Sequence, residues 1–200
     1  MPQSKVVKFW NERPIPTSFP WTGMHELLWS AGGSKPLKVL DLAAGNGSLS
    51  IPLLERECDI TATELGPKLI RHLESIRSPG GKAMTVINED IRQGMPAEGV
   101  FDLVICSFII HFFSLPDGNA VLETVRRSVK PGGMVWLRWF LPQGELAFGY
   151  DHCVPSMKQV LSHFPGAKVL HEHISEVPTA SLRPDKTPML HTAADVLLRA

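Results

Sequence analysis

The sequence predicts an α/β fold with a doubly wound, mainly parallel sheet of seven strands. From residue 37 onward, short apolar runs of β type alternate with amphipathic helical segments, which is the pattern of βαβ units. One run breaks into two closely spaced glycines, as happens where a strand turns directly into a helix. A length of 200 residues with 44% hydrophobic content suits one compact domain with a substantial core.

Seven apolar runs are predicted to be strands, and most segments between them to be helices. The strands are residues 38–43, 59–64, 83–88, 101–108, 134–140, 168–177 and 194–199. The helices are residues 49–57, 67–77, 118–129 and 154–164. The last strand has a second interpretation, because the Ala and Leu content of residues 192–198 also favours a helix capped by Thr192.

Residues 1–36 form an aromatic N-terminal segment ahead of the α/β domain of residues 37–200. The segment carries Trp10 and Trp21 among several prolines. Its residues 22–31 are predicted to form a helix that two glycines end. Large rings either cover one end of a core or close a ligand cleft. The sequence therefore leaves two interpretations of this segment, as a packing element or as a lid.

Charge and cysteine content narrow the class of protein. Twenty basic and twenty acidic residues give no net charge, so the usual footprint of a nucleic-acid-binding protein is missing. The sequence has no apolar run of membrane-spanning length and no signal-peptide core. Its three cysteines include no CxxC pair, so neither a disulfide framework nor a metal site is predicted. We expect a cytoplasmic monomer or homodimer that acts on a small molecule, without a nucleic-acid or membrane partner.

The strand, turn and helix at residues 38–57 are predicted to bind a ligand. Gly45 and Gly47 can adopt positive φ and let the backbone contact that ligand. A dinucleotide fingerprint requires a third glycine where Ser50 stands, and the Gly-Lys-Ser/Thr of a phosphate loop is absent. Asp41 at the strand end would repel a pyrophosphate but tolerate the ammonium and sulfonium of S-adenosylmethionine.

Acidic residues also follow the next two strands. Glu64 lies nineteen residues after Gly45, the spacing of an acid that accepts hydrogen bonds from ribose hydroxyls at the strand ends. Asp90 follows the third strand, where a carboxylate can reach an adenine amino group and Ile91 can lie against the ring. Each acid has the alternative role of capping a helix.

These ordered motifs resemble those of class I S-adenosylmethionine-dependent methyltransferases. The motifs are Asp41-x-Ala43-x-Gly45-x-Gly47, Glu64, Glu89-Asp90-Ile91, the run from Phe101 to His111, and Lys130-Pro131-Gly132-Gly133. More narrowly, the sequence is similar to the small-molecule branch that includes ubiquinone- and tellurite-type methyltransferases. The resemblance covers about residues 37–140 and implies a Rossmann-like sheet with helices on both faces and an antiparallel last strand. Ala43 stands where the family has its first glycine.

The resemblance implies a set of residues that bind S-adenosylmethionine. They are Asp41, Ala43, Gly45, Gly47, Glu64, Leu65, Asp90, Ile91 and Ser107. Asp41 would hold the ammonium, Glu64 the ribose diol and Asp90 the adenine amino group. Leu65 and Ile91 would lie against the adenine, and Ser107 beside the methionine end.

Methyl transfer to an O, N or S atom of a small acceptor depends mainly on alignment. An acceptor that is protonated at neutral pH also needs a base, and the sequence offers His111 and His152. Each histidine would equally suit a packed core. The aromatic residues that would line the acceptor pocket are Trp10, Trp21, Trp139 and Tyr150.

Two other functions stay open. A nicotinamide oxidoreductase of similar fold is disfavoured by Asp41, by Ser50 and by the lack of a Tyr-x-x-x-Lys pair, since Tyr150 is the sole tyrosine. A non-catalytic module that binds S-adenosylmethionine would carry the same motifs. DNA methylation is disfavoured because residues 107–110 differ from the motif [NDS]PP[YF] of such enzymes.

Overall fold

The computed structural model describes residues 7–8, 12–16, 18–94, 98–145 and 152–200. Its sheet has seven strands in the order β3-β2-β1-β4-β5-β7-β6. The strands are β1 Lys38–Leu42, β2 Asp59–Thr63, β3 Thr85–Ile87, β4 Phe101–Ser107, β5 Val129–Gly144, β6 Lys168–Leu182 and β7 Pro188–Arg199. Neighbours from β3 to β5 pair in parallel, whereas β7 runs antiparallel to both β5 and β6. The predicted mainly parallel sheet with an antiparallel last strand is confirmed.

Helices cover both faces of this sheet, as the predicted fold requires. They are α1 Gly23–Ala31, α2 Ile51–Leu54, α3 Pro67–Ser75, α4 Leu115–Ser128 and α5 Met157–Ser162. Thr22 caps α1 through its side chain, which accepts a hydrogen bond from the backbone N–H of His25. Helices α1, α2 and α3 contribute to one core layer, and α4 and α5 to the other.

The strand β5 shows how the two layers form. Side chains alternate across a strand, so Met134 and Trp136 belong to the layer of α1 to α3. Val135, Leu137 and Trp139 belong to the layer of α4 and α5. Each layer therefore receives every second side chain of a central strand.

The alternative helix at residues 192–198 is wrong, because these residues lie in the strand β7. β7 is inserted between β5 and β6 and pairs with both along most of its length. Hydrogen bonds to two neighbours outweigh the modest helix propensity of Ala and Leu. No helix among the described residues is long and apolar enough to cross a membrane.

Candidate functional site

A cleft of about 660 Å³ opens at the carboxyl ends of the parallel strands, where open α/β sheets bind ligands. We name its two parts by the strands whose ends form them. The β1–β3 side consists of Asp41, Ala43, Gly45, Glu64, Leu65, Glu89, Asp90, Ile91 and Arg92. The β4–β5 side consists of Ser107, Phe108, Ile109, Phe112, Phe113, Arg138 and His152. Residues 13–16 of the N-terminal segment also line the cleft.

The two glycines of the β1 turn have different surroundings. Gly45 has φ +59°, lines the cleft, and leaves open space where a Cβ would stand. Gly47 has φ +78°, and a Cβ there would lie 2.8 Å from side-chain atoms of both Ile51 and Leu73. Gly47 is not part of the cleft lining, so its predicted contact with a ligand is not what the structure shows. Its lack of a side chain lets α2 and α3 pack against the turn.

Ala43 begins this turn in a left-handed conformation, with φ +54°. Its backbone N–H donates to the hydroxyl of Thr63 at 2.8 Å, which ties the turn to the end of β2. A left-handed residue with a Cβ costs about 1–2 kcal/mol relative to a right-handed one. The turn therefore keeps the glycine-like backbone despite the alanine.

Asp41 is the penultimate residue of β1 and lies in the cleft wall, with only 3% of its surface exposed. The pKa of its carboxyl is raised to about 7, mainly by burial and in part by the nearby charge of Glu64, whereas the hydroxyl of Ser50 opposes the shift. Its Oδ2 atom has no hydrogen-bond partner among the described residues. A cation brought into the cleft would therefore find a desolvated carboxylate oxygen.

Glu64 links the loops that follow β1 and β2. Its Oε2 accepts from the N–H of Gly45 at 2.9 Å, and its Oε1 accepts from the N–H groups of Leu65 at 2.8 Å and Gly66 at 2.7 Å. These bonds use three of the roughly four acceptor positions of a carboxylate. The side chain is fixed at the cleft and keeps capacity for a ligand hydroxyl.

Asp90 reaches the cleft but is engaged by a neighbour. The guanidinium of Arg92 pairs with both of its oxygens, at 2.6–3.1 Å, and the backbone N–H of Arg92 donates to Oδ1. Arg92 also lies 3.6 Å from Asp117 and 5.7 Å from the centre of the Phe113 ring. Sequence reasoning missed Arg92, although its place two residues after Asp90 in a capped turn was a usable signal. A contact of Asp90 with adenine stays a prediction.

The two histidines differ in access to the cleft. His111 is buried, with 6% of its surface exposed, and burial lowers its pKa to about 3, helped by the charges of His152 and His191. It packs against Phe112 and Phe140 and is not part of the cleft lining. The structure therefore contradicts His111 as a base that contacts an acceptor, because its imidazole belongs to the core.

His152 does line the cleft. Its Nδ1 lies 2.7 Å from the backbone carbonyl oxygen of His111. A carbonyl only accepts, so Nδ1 carries the hydrogen and Nε2 holds the lone pair in the neutral ring. His152 is thus the histidine whose position suits proton transfer.

Two of the four aromatic residues predicted for the acceptor pocket, Trp21 and Trp139, do not line the cleft. Trp139 is 1% exposed, and its indole N–H donates to the carbonyl of Pro155 inside the core. Trp21 bonds to Glu26 and lies under the guanidinium of Arg56, away from the cleft. Both are corrections, since each ring is held by its own layer of the core. Trp10 and Tyr150 lie outside the described residues.

The rings that do line the cleft are Phe108, Phe112 and Phe113, from the loop after β4. Arg138 joins them from β5. Sequence reasoning missed Arg138, whose signal was a charged residue within an otherwise apolar central strand. Among the described residues, no group of three His, Cys, Asp or Glu side chains is arranged to hold a metal ion.

Comparison with known proteins agrees with this geometry. Residues 39–133 match the family model described as a methyltransferase domain. Over 105 residues the chain is 33% identical to the ubiquinone biosynthesis O-methyltransferase of Pseudomonas aeruginosa, a match that covers 50% of this chain and 43% of that protein. It is also 30% identical over 110 residues to an uncharacterized protein of Mycobacterium tuberculosis, covering 54% and 39%. These matches therefore span less than half the length of either relative.

Solved structures extend the likeness beyond the matched domain. TehB from Haemophilus influenzae superposes with a TM-score of 0.76 at 13% identity, over 96% of this chain and 66% of that one. The N-methyltransferase NodS from Bradyrhizobium japonicum, solved with S-adenosylhomocysteine, gives a TM-score of 0.67 at 14% identity, over 98% and 96%. The family model thus describes residues 39–133 as a methyltransferase domain, and the superpositions show that the chain has the fold of TehB and NodS.

Proposed function

We propose that the chain binds S-adenosylmethionine on the β1–β3 side and transfers its methyl group to an O, N or S atom of a small molecule on the β4–β5 side. The observation that carries this proposal is the buried carboxylate of Asp41. A buried carboxylate oxygen without a partner costs free energy, and a ligand ammonium beside it would remove that cost. S-adenosylmethionine has such an ammonium and lacks the phosphates that the neighbouring acidic residues would repel.

The rest of the β1–β3 side suits the remaining parts of this ligand. Gly45, with open space beside its Cα, would border the amino-acid part. Glu64 would accept a hydrogen bond from the ribose. Leu65 and Ile91 would lie against the adenine, and Asp90 would reach its amino group if the pair with Arg92 opens.

The chain contributes alignment and a proton acceptor. When bound, S-adenosylmethionine supplies a methyl group on a sulfonium. The β4–β5 side would hold the acceptor atom in line with that methyl, which is the main source of acceleration for such a reaction. His152 would accept the proton of the acceptor at Nε2, while the carbonyl of His111 fixes its tautomer and orientation.

The N-terminal segment would complete the site as a cover. Residues 13–16 line the cleft, and the carbonyl of Arg13 accepts a hydrogen bond of 2.6 Å from the ammonium of Lys68 in α3. We propose that residues 1–36 act as a lid that limits the entry of water, and that residues 37–200 form the catalytic domain.

Titration calorimetry tests the binding step. We expect saturable binding of S-adenosylhomocysteine, the demethylated product, and no binding of NAD. Glu64→Gln should weaken the binding of S-adenosylhomocysteine by about 1.5–3 kcal/mol, the range for hydrogen bonds to a charged group. The amide of glutamine carries N–H groups, and one of them would face the backbone N–H groups that the carboxylate of Glu64 accepts from. Glu123→Gln is the matched control, because Glu123 pairs with Arg126 outside the cleft and should leave the affinity unchanged.

Mass spectrometry of a panel of phenols, amines and thiols incubated with S-adenosylmethionine tests the transfer step. A mass increase of one methyl group is the expected result. Binding of S-adenosylhomocysteine without transfer to any acceptor would favour the non-catalytic module. Tight binding of NAD in its place would favour the oxidoreductase and overturn the proposal.

A further inference from the structure

Arg138 is a charged residue in the buried middle of the strand β5. The residues on either side of it in β5, Leu137 and Trp139, are buried. The side chain of Arg138 keeps 29% of its surface exposed and lines the cleft. It follows Met134 and Trp136 on the same face of the sheet, so it stands where that face meets the cleft. A charge at such a position requires a partner.

Asp195 of β7 is that partner for one edge of the guanidinium. Its Oδ2 lies 3.1 Å from Nε of Arg138, and its Oδ1 accepts a hydrogen bond of 2.7 Å from the indole of Trp136. Among the described residues, the terminal nitrogens Nη1 and Nη2 of Arg138 have no acceptor. The contact with Asp195 is an ion pair rather than an aligned hydrogen bond, since Nε has no hydrogen-bond partner among the described residues. Asp195 thus holds the guanidinium by charge and leaves its outer N–H groups for a ligand.

Phe108 covers one face of the same guanidinium. The centre of its ring lies 4.8 Å from Cζ of Arg138, and its backbone N–H donates to the carbonyl of Arg138 at 2.7 Å. Phe108 has a left-handed backbone with φ +51°, a conformation that costs a non-glycine residue about 1–2 kcal/mol. Because the ring covers a face, a ligand would meet the guanidinium at its edge, where it forms two parallel hydrogen bonds.

We infer that the acceptor is an aromatic or apolar carboxylic acid whose carboxylate binds the outer edge of Arg138. This inference rests on the proposed function, since it assigns the acceptor to the β4–β5 side. Ile109, Phe112 and Phe113 line the same side and provide an apolar surface for the body of the molecule. A singly charged carboxylate suits the cleft better than a phosphate, because repulsion by the carboxylates of the β1–β3 side grows with ligand charge.

Benzoate is the probe for this site, with the neutral benzamide as its isostere and phenyl phosphate as the doubly charged alternative. Each is titrated calorimetrically into the full chain, with and without saturating S-adenosylhomocysteine. The test variant is Arg138→Lys, which keeps the charge beside Asp195 but loses the planar fork. Arg183→Lys is the matched control, because Arg183 also pairs with a carboxylate, that of Glu145, but lies outside the cleft. Chemical unfolding of both variants shows that each is folded.

We expect benzoate to bind at least tenfold more tightly than benzamide or phenyl phosphate, and Arg138→Lys, but not Arg183→Lys, to remove that preference. Equal affinity for benzoate and benzamide in the unaltered chain, or an unchanged preference in folded Arg138→Lys, would overturn the inference. A preference for phenyl phosphate would assign the edge to a phosphate instead and would also overturn it. The binding of S-adenosylhomocysteine is read separately, so failure of the proposed function is distinguishable from failure of this inference.

Discussion

The two sides of the cleft are built in different ways. On the β1–β3 side, Asp41, Glu64 and Asp90 each stand at or just after the end of a strand, within about fifty residues of sequence. On the β4–β5 side, Phe108, Arg138 and His152 come from separate parts of the chain. Parallel strand ends converge at one edge of a sheet, so the first side follows from local pattern. The second depends on how separate segments pack.

The largest expected effect distinguishes the two histidines beside the β4–β5 side. With a phenolic acceptor that must lose a proton, His152→Ala should lower kcat by about 10²–10⁴-fold, the usual contribution of a general base, at unchanged affinity for S-adenosylhomocysteine. His111→Ala should mainly lower the free energy of unfolding, because it removes a buried ring but keeps the carbonyl that orients His152. Steady-state kinetics and chemical unfolding measure both. A larger fall in kcat for His111→Ala would reverse the assignment.

The next effect separates the two glycines of the β1 turn. Gly47→Ala should lower the free energy of unfolding by about 2–5 kcal/mol, the sum of a left-handed alanine and of overpacking against Ile51 and Leu73. Gly45→Ala should cost about 1–2 kcal/mol, for the backbone alone, yet weaken S-adenosylhomocysteine binding because it fills space in the cleft. Urea unfolding and calorimetry give the two readouts. Equal destabilisation by both substitutions would show that the side chains of Ile51 and Leu73 can move away from a methyl group at position 47 without a measurable cost.

The raised pKa of Asp41 predicts that the affinity for the cofactor depends on pH. An ammonium binds the ionised carboxylate, and burial raises the pKa of Asp41 to about 7 in the free protein. Below pH 7 the carboxyl must lose a proton to bind, so affinity for S-adenosylhomocysteine should fall by up to about tenfold per pH unit. Asp41→Asn should bind weakly and without this dependence. Calorimetry between about pH 5.5 and 8 measures the affinity of the unaltered chain and of the variant. An affinity of the unaltered chain that does not change with pH would contradict the role of Asp41.

The same pKa gives the sign of a stability change. The folded-state pKa of Asp41 is raised, so its contribution to stability is fully present below the unfolded value near 4 and is lost as pH rises through about 7. Without ligand, Asp41→Asn should therefore gain stability relative to the unaltered chain above pH 7. The two readouts have opposite signs, because the variant loses cofactor affinity while it gains stability.

The fold and half of the site follow from the sequence for physical reasons. Alternating strands and helices, and acids at strand ends, are local patterns, and the structure places Asp41, Glu64 and Asp90 around one cleft. Trp21 and Trp139 were misassigned to the acceptor pocket because a tryptophan suits a core and a pocket equally well, and both pack with the core. Arg138 was missed because its role depends on Asp195, a residue on a strand that pairs with β5 from far along the chain.

The smallest expected effect is that of Ala43→Gly, which restores the first glycine of the motif that this sequence resembles. It tests whether the turn after β1 depends on that glycine. Ala43→Gly relieves a left-handed alanine, worth about 1–2 kcal/mol, but raises the entropy of the unfolded chain, worth about 0.4–1 kcal/mol. It also removes a methyl group that packs partly against the α4 and α5 layer, worth up to about 0.8 kcal/mol. These contributions nearly cancel, so the free energy of unfolding should change by less than about 0.5 kcal/mol. Urea unfolding beside Gly47→Ala measures the contrast. A loss above about 1 kcal/mol would show that the methyl group, rather than the backbone, decides this position.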